Sequence, residues 1–292
     1  MKLDIVYNPV AGGFRRRRLE ALVRAFERRG THVTALPTTR EGVQLSGDAD
    51  LVCVHGGDGT LRDTVQALGE RAGEAPLCIA PAGTINLVAR ELGYARDRER
   101  LAAQVCAAWE RGPESWVRAP LYMLGEMPVV ACLSIGPDSH AVARVSGALK
   151  RRIGRFAYVF ALLQVMRDWP RETMTITGEL ADGTPFECEA AAVIVSHGAL
   201  FAGPFRLSPS ASLTADAVEL IVLERPTRRR IAAFTAAAFG GWPLDKLGLA
   251  TFRTARRIAF DRCVSPVQVD GDYMPDCAYA IGPSGKSLRY VI

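Results

Sequence analysis

The chain has 292 residues, 49% hydrophobic and 23% charged, with a formal net charge of +5. That balance suits a folded protein of one or two domains, and no apolar run reaches the roughly 20 residues of a membrane-spanning helix. Seven cysteines are scattered singly with no C-x-x-C pair, and a strand pattern starts directly after Met1; reduced thiols and no visible signal peptide point to the cytoplasm.

In chain order, residues 3–7 read as a strand and Asn8-Pro9-Val10-Ala11-Gly12-Gly13 as a turn. A helix follows with Leu19, Leu22, Val23 and Phe26 on one face, ending at Gly30. Residues 32–36 give a second strand. The uncharged run 51–54 reads as a strand buried on both faces. Gly56-Gly57-Asp58-Gly59 breaks it, Thr60 is expected to open a helix, and Thr60-Leu61-Arg62-Asp63 fits a capping box. Residues 77–80 form another strand, closed by Pro81-Ala82-Gly83-Thr84, and helices follow over 85–92 and 96–111. Strands alternating with helices predict a parallel sheet covered on both faces, with the turns at Asn8, Gly56 and Pro81 at the carboxyl ends of strands.

The turn after residue 54 is a candidate phosphate cradle. A helix N-terminus presents unpaired N–H donors and the positive end of a dipole, and glycines let a phosphate approach. On the residues alone, a capped strand-to-helix turn without a ligand fits equally well.

From about residue 121 short apolar segments (127–135, 173–177, 186–196, 218–223, 256–260, 267–269) are separated by Gly, Pro and Asp. Asp182-Gly183 and Gly271-Asp272 read as hairpin turns. This half is expected to be mostly antiparallel, with helices near 139–149, 155–167 and 227–239. The domains are read as 1–118 and 119–282, with residues from about 283 to 292 as candidates to return to the first. The halves are expected to face each other across a cleft. Arginine-rich runs at 15–18, 150–152 and 228–230 are solvated helix faces or a means of attraction to an anionic surface. No zinc finger, RNA-recognition motif or aromatic platform accompanies them, so nucleic acid is disfavoured as partner.

Asn8-Pro9-x-Ala11-Gly12, Gly56-Gly57-Asp58-Gly59-Thr60 and Pro81-Ala82-Gly83-Thr84-x-Asn86, in that order and spacing, resemble the diacylglycerol kinase catalytic domain family. That family takes in bacterial diacylglycerol kinases, related lipid kinases and sphingosine kinases, and more distantly NAD kinases. Gly154-Arg155-Phe156-Ala157-Tyr158, residues 203–220 and Val269-Asp270-Gly271-Asp272 extend the resemblance into the second half. It implies an α/β fold: a doubly wound, NAD-kinase-like nucleotide domain followed by a mostly antiparallel, β-sandwich-like domain bearing the lipid site.

The resemblance further implies ATP and Mg²⁺ as cofactors. Around the nucleotide it places Asn8, Pro9, Val10, Ala11, Gly12, Thr38, Gly57, Asp58, Gly59, Thr60, Leu61, Arg62, Asp63, Thr84 and Asn86. Asp58 is read as a catalytic carboxylate that meets Mg²⁺ through water or fixes the loop. A structural Mg²⁺ is implied at Asp216, with the carbonyls of Leu213 and Val218 completing an oxygen set suited to a hard cation. The proton acceptor is implied at Asp272, with Asp270 orienting it or contacting metal. On residues alone the 215–217 segment is a solvated turn and the 270–272 segment a hairpin turn. This chain departs from the family in Arg62 and Asp63 for the common Asn and Glu, Leu87 for Asp, Ala217 for Gly, and Asp272 for Glu.

The leading function is an ATP- and Mg²⁺-dependent lipid kinase acting on a hydroxyl of a diacylglycerol-like or sphingoid-like lipid. It would be cytoplasmic, with peripheral contact to the inner membrane surface. A nucleotide-binding regulatory or weakly active member is the alternative that Leu87 and Asp272 support. A kinase of a soluble acceptor is a further alternative.

Overall fold

The computed structural model describes residues 1–137, 139–140, 172–201, 203, 205–208, 210–224, 227–262, 266–274 and 279–292. Apart from Ser139 and His140, the helices expected near 139–149 and 155–167, and the 154–158 motif, lie outside the described residues. The chain divides into two units, Met1–Leu121 with Gly285–Ile292, and Tyr122–Ser284.

In the first unit β1 (Lys2–Tyr7), β2 (His32–Pro37), β3 (Leu51–His55) and β4 (Pro76–Ile79) form a parallel sheet in the order β4-β3-β1-β2. All five residues of β3 are buried, as expected where neither face of a strand meets water. The helices are α1 (Arg16–Glu27), α2 (Asp58–Leu68), the short α3 (Leu87–Glu91) and α4 (Arg98–Arg111). α1 turns Leu19, Leu22, Ala25 and Phe26 inward, the i, i+3, i+7 spacing of an apolar face. α4 starts where the Asp97 carboxylate accepts the Arg100 N–H at 3.0 Å and stops at Gly112, φ +86°.

The capping box expected at Thr60 and Asp63 is not formed. α2 begins two residues earlier, with Gly57 as the extended N-cap and no side-chain cap. Its first helical bond runs from the Leu61 N–H to the Gly57 carbonyl at 3.0 Å. Thr60 therefore sits inside the first turn, and Asp63 accepts from the Arg62 guanidinium at 2.9 Å instead of reaching back. Glycine needs no side chain to serve as an N-cap, which lets the helix start directly against the strand.

The second unit is antiparallel. Its strands are β5 (Val117–Leu124, of which only the end belongs here), β6 (Met127–Val129), β7 (Cys132–Ile135), β8 (Met174–Leu180), β9 (Pro185–Ala190) and β10 (Ala192–Ser196). They continue with β11 (Leu200–Phe201), β12 (Phe205–Arg206), β13 (Val218–Leu223), β14 (Thr251–Phe260), β15 (Val267–Val269) and β16 (Asp272–Met274). The main order is β16-β15-β7-β10-β13-β14, and β14 also pairs with β8, which pairs with β9.

Alternation in β13 splits the interior. Val218, Leu220 and Val222 join Val193, Val195 and Leu133 in one apolar cluster. Ile221 and Leu223 face a second cluster with Ile194 and with Ile231, Phe234 and Ala237 of helix α5 (Arg228–Gly240). Thr227 caps α5, accepting the Arg230 N–H at 3.2 Å. The last strand, β17 (Ala280–Tyr290), brings Arg289 and Tyr290 parallel to Pro76 and Leu77 of β4. Tyr94 donates its hydroxyl to the Val291 carbonyl at 3.0 Å, fixing that return.

Candidate functional site

Three turns at the carboxyl ends of β1, β3 and β4 are tied to one another. The Asn8 side-chain amide donates to Thr60 Oγ1 at 3.4 Å, and its own carbonyl oxygen accepts the Val10 N–H at 2.9 Å. The Gly13 N–H donates to the Ala82 carbonyl at 3.0 Å, and the Ala82 and Gly83 amides donate to the Gly56 carbonyl at 2.9 and 3.1 Å. Glycine is required where these turns meet. A Cβ on Gly83 would lie 2.6 Å from Gly57 Cα, and one on Gly13 2.5 Å from the Ala82 oxygen. Asn86, left-handed at φ +56°, closes the third turn by accepting from the Gly83 N–H and donating to the Gly83 carbonyl, each at 2.8 Å.

Above this frame stands the N-terminus of α2. With the first helical bond made by Leu61, the amides of Asp58, Gly59 and Thr60 have no intrahelical acceptor. Such a terminus attracts anions. The one acid in the turn is directed elsewhere: Asp58 is 9% exposed, and its two oxygens accept the N–H groups of Leu87 and Val88 at 2.9 and 3.1 Å. Burial raises the Asp58 pKa, opposed by those backbone donors. Asp58 therefore holds α3 against α2, and its charge meets the positive end of α3. Through those two bonds Asp58 acts as a positioning residue for the start of α3.

The other nucleotide-site candidates divide by what they can offer. Leu61 is 1% exposed and its amide is committed to Gly57, so it contributes packing. Arg62 is 7% exposed beside the exposed Asp63. Thr84 is exposed, and its Oγ1 would stand 3.1 Å from a Cβ on Gly12, placing the first and third turns side by side. Pro9 and Gly12 are exposed, Ala11 is half-buried, and Val10 is 77% exposed. Thr38 follows β2 and donates its N–H to the Tyr7 carbonyl at 2.9 Å, so it shares the carboxyl edge with Asn8.

His55, the last residue of β3, has a specific environment beside these turns. It is fully buried, its Nδ1 lies 3.1 Å from the Ala80 carbonyl and its Nε2 has no protein partner. Burial holds its pKa down at about 4, aided by the charges of Arg98 and Arg18. The Phe14 ring stands 6.2 Å from His55 and stacks on Tyr7. The only signal for this in the sequence was the position of His55 directly before Gly56.

In the second unit, Asp270 and Gly271 are the central residues of the β15–β16 turn, with φ of +52° and +88°. Sequence reasoning put that turn one residue later. Two positive φ angles at Asp-Gly are the signature of a tight hairpin. Asp270 is 7% exposed, and its carboxylate accepts three amides: Val130 at 3.1 Å, Ala131 at 2.8 Å and Cys132 at 3.1 Å. Those donors are the two residues between β6 and β7 and the first residue of β7, so Asp270 holds the break between two strands that the sequence presented as one apolar segment. Asp272 opens β16 with an exposed side chain. Of the two acids, Asp270 is built into the frame and Asp272 is presented to solvent.

Asp216 lies in an exposed turn, between the buried Leu213 and Val218. Its carbonyl accepts the Tyr122 hydroxyl at 2.9 Å, and the Tyr122 ring stands 5.3 Å from that of His197. His197 is 3% exposed, and burial depresses its pKa to about 4, opposed by the nearby Val130 backbone. The His197 N–H donates to the Ala131 carbonyl at 2.9 Å, so one short relay connects the Asp216 turn to the segment clamped by Asp270. Among the described residues no three acidic, histidine or cysteine side chains converge. A hard cation at Asp216 would take one carboxylate and otherwise carbonyl and water oxygens, a donor set of suitable chemistry.

Residues 2–112 match the diacylglycerol kinase catalytic domain, and residues 131–286 match the YegS C-terminal NAD kinase beta sandwich-like domain. The chain belongs to the diacylglycerol kinase catalytic domain family, its second half being of the YegS type. It is 24% identical over 280 residues to a diacylglycerol kinase of Staphylococcus carnosus, covering 92% of this chain and 88% of the relative. A diacylglycerol kinase of Bacillus subtilis is 25% identical over 232 residues (76% and 73% covered). A probable lipid kinase YegS-like of Pseudomonas putida is 26% identical over 171 residues (59% and 55% covered). In fold, the chain superimposes on a putative diacylglycerol kinase from Bacillus anthracis with a TM-score of 0.74 at 20% identity, covering 99% of this chain and 94% of the other. The fold is thus NAD-kinase-like α/β with a second, mostly antiparallel domain, and the family is one of kinases.

Proposed function

We propose that this protein is an ATP- and Mg²⁺-dependent lipid kinase that transfers the γ-phosphoryl group to a lipid hydroxyl. The observation that carries the reading is the frame of three glycine-rich turns under the N-terminus of α2, with glycine at each closest approach and the Asp58 carboxylate turned toward α3. Backbone amides at a helix start bind phosphate without a Walker lysine.

In the reaction, Asp272 accepts the proton of the lipid hydroxyl as its oxygen bonds to the γ-phosphorus. The bond from phosphorus to the β–γ bridging oxygen breaks, and ADP leaves with that electron pair. Asp270 holds the hairpin that presents Asp272, through its three backbone bonds. When bound, Mg²⁺ supplies positive charge to the phosphate oxygens. A second ion at Asp216, with the carbonyls of Leu213 and Val218, would stiffen the turn ahead of β13. The names of the relatives, diacylglycerol kinase and lipid kinase, support a lipid acceptor. Such an acceptor would be met by peripheral contact with the inner membrane surface, and no helix among the described residues is long and apolar enough to cross a membrane.

One observation favours a second reading, a nucleotide-binding regulator without turnover. Leu87, 7% exposed, stands where the resemblance drawn from the sequence motifs implies an aspartate, and a leucine supplies no carboxylate there. ATP turnover against lipid extracts in mixed micelles, with the phosphorylated product identified by mass spectrometry, separates the two. A new lipid phosphate supports the kinase; tight ATP binding with no product supports the regulator.

A further inference from the structure

Helix α5 and the corner that follows it have an unusual surface. Ile231, Phe234 and Ala237 face the second apolar cluster, so the opposite face should carry charge. It carries Ala232, Ala233, Ala236 and Gly240, all exposed, and no charged residue occurs from 231 to 244. The helix ends at Gly241 in a left-handed turn, and Trp242 follows, 61% exposed. Leu244 is anchored in the apolar cluster at 1% exposure, while Leu247, three residues on, is 42% exposed. Trp242 and Leu247 are two of five large hydrophobic side chains exposed among the described residues.

The charges stand at the margins. Arg228, Arg229 and Arg230 are exposed in the first turn of α5, and Lys246 is exposed at the corner next to Asp245. The Arg230 guanidinium donates to the Gly248 carbonyl at 2.7 Å, which ties the basic turn to the corner bearing Leu247. Residues 227–248 therefore carry a charge of +3, four cationic side chains against one acid. An uncharged face ending in an exposed tryptophan and edged by arginines has the chemistry of a lipid–water boundary.

We infer that the outer face of α5, with Trp242 and Leu247, docks on an anionic bilayer. Charge favours that occupant over a second copy of this chain, because each copy would bring the same charge of +3 to a two-fold contact, whereas acidic lipid headgroups neutralise it. The inference deepens the lipid-kinase reading and rests on it for the choice of partner: an enzyme with a bilayer-borne acceptor gains from a surface that holds it there. It assigns the docking surface to a named corner of the second unit.

The test uses the full chain with vesicles of phosphatidylcholine, alone or containing phosphatidylglycerol. Wild type should cosediment with the phosphatidylglycerol vesicles, and their addition should protect the amides of residues 241–248 from hydrogen exchange. The latter needs no substitution. Trp242→Ala with Leu247→Ser should weaken vesicle binding by on the order of tenfold. Replacing Arg228, Arg229 and Arg230 by Gln should weaken it by roughly fivefold per arginine and flatten its salt dependence. All variants should keep wild-type turnover on a short-chain acceptor dispersed as monomers. Unchanged exchange at 241–248, or variants that bind vesicles like wild type, would overturn the docking surface. So would a fall in solution mass from dimer to monomer in the Trp242 variant, which would give the face to a second copy. Vesicle binding through this corner without turnover on any lipid would instead remove the kinase reading and leave the surface standing.

Discussion

The Asp58 carboxylate accepts the Leu87 N–H at 2.9 Å, joining the start of α2 to the start of α3 across 29 residues of chain. The same carboxylate takes the Val88 N–H at 3.1 Å, so two of the orphan amides of α3 are satisfied by one buried side chain. Asp58→Ala strands both donors and should cost about 1–3 kcal/mol of stability. Asp58→Asn keeps one acceptor and should cost less. Chemical denaturation measures both. If Asp58→Ala unfolds like wild type, the carboxylate is not a structural clamp.

The glycines of the three turns should rank by the space around them. A Cβ on Gly83 would press to 2.6 Å on Gly57 Cα and 2.7 Å on Asn86 Oδ1, whereas one on Gly57 meets nothing nearer than Gly83 Cα at 3.3 Å. Gly83→Ala should therefore strain the frame by about 1–3 kcal/mol and weaken ATP binding in calorimetry. Gly57→Ala should be milder, while Gly57→Val, with a branched side chain where phosphate must approach, should abolish binding. Equal ATP affinity in folded Gly57→Val protein would remove this turn from the nucleotide site.

Asp270 and Asp272 should part in their effects although they are two residues apart. Asp270 holds three amides from inside the protein and Asp272 is exposed. Asp270→Ala should lower the melting temperature markedly, by several degrees for each kcal/mol lost. Asp272→Ala should leave it within a degree or so, as exposed substitutions do. A thermal shift of the same size in both would mean that Asp272 also supports the hairpin.

The three turns and the alternation of strands and helices were legible in the sequence because their signals are local. Gly-Gly before a helix, Pro-Ala-Gly after a buried strand and Asp-Gly between short apolar runs each specify a backbone shape within a few residues. What stayed hidden depends on partners far along the chain. The amides held by Asp270 lie 138 to 140 residues away, and the return of Tyr290 to Leu77 crosses most of the sequence. The capping box misled for a related reason: Thr60-x-x-Asp63 has the right letters, but Gly57 already starts the helix. Nothing local shows that Asp58 and Asp270 point into the protein while Asp272 points out.

Acid should destabilise the fold through His55 and His197. Both are buried and held neutral, with pKa lowered from 6.5 to about 4. Between those values the unfolded chain binds more protons than the folded one. Their contribution is therefore complete above pH 6.5 and is lost as pH falls toward 4, at up to about 1.4 kcal/mol per pH unit for each histidine. Asp58, raised by burial, works in the opposite sense, so the informative comparison is between proteins. His197→Phe should show a smaller drop in melting temperature than wild type between pH 7 and pH 5. An equal drop would mean that His197 is protonated in the folded protein.

The most direct test of the account is transfer of γ-labelled phosphate from ATP to a lipid hydroxyl in mixed micelles with Mg²⁺, compared in wild type, Asp272→Asn and Asp272→Glu. Wild type should yield a labelled lipid. Asp272→Asn should reduce the rate by roughly 10²- to 10⁴-fold, the usual contribution of a side-chain base, with ATP affinity preserved, and Asp272→Glu should keep or raise the wild-type rate. No lipid-dependent label in wild type, or an Asp272→Asn rate equal to wild type, would contradict it.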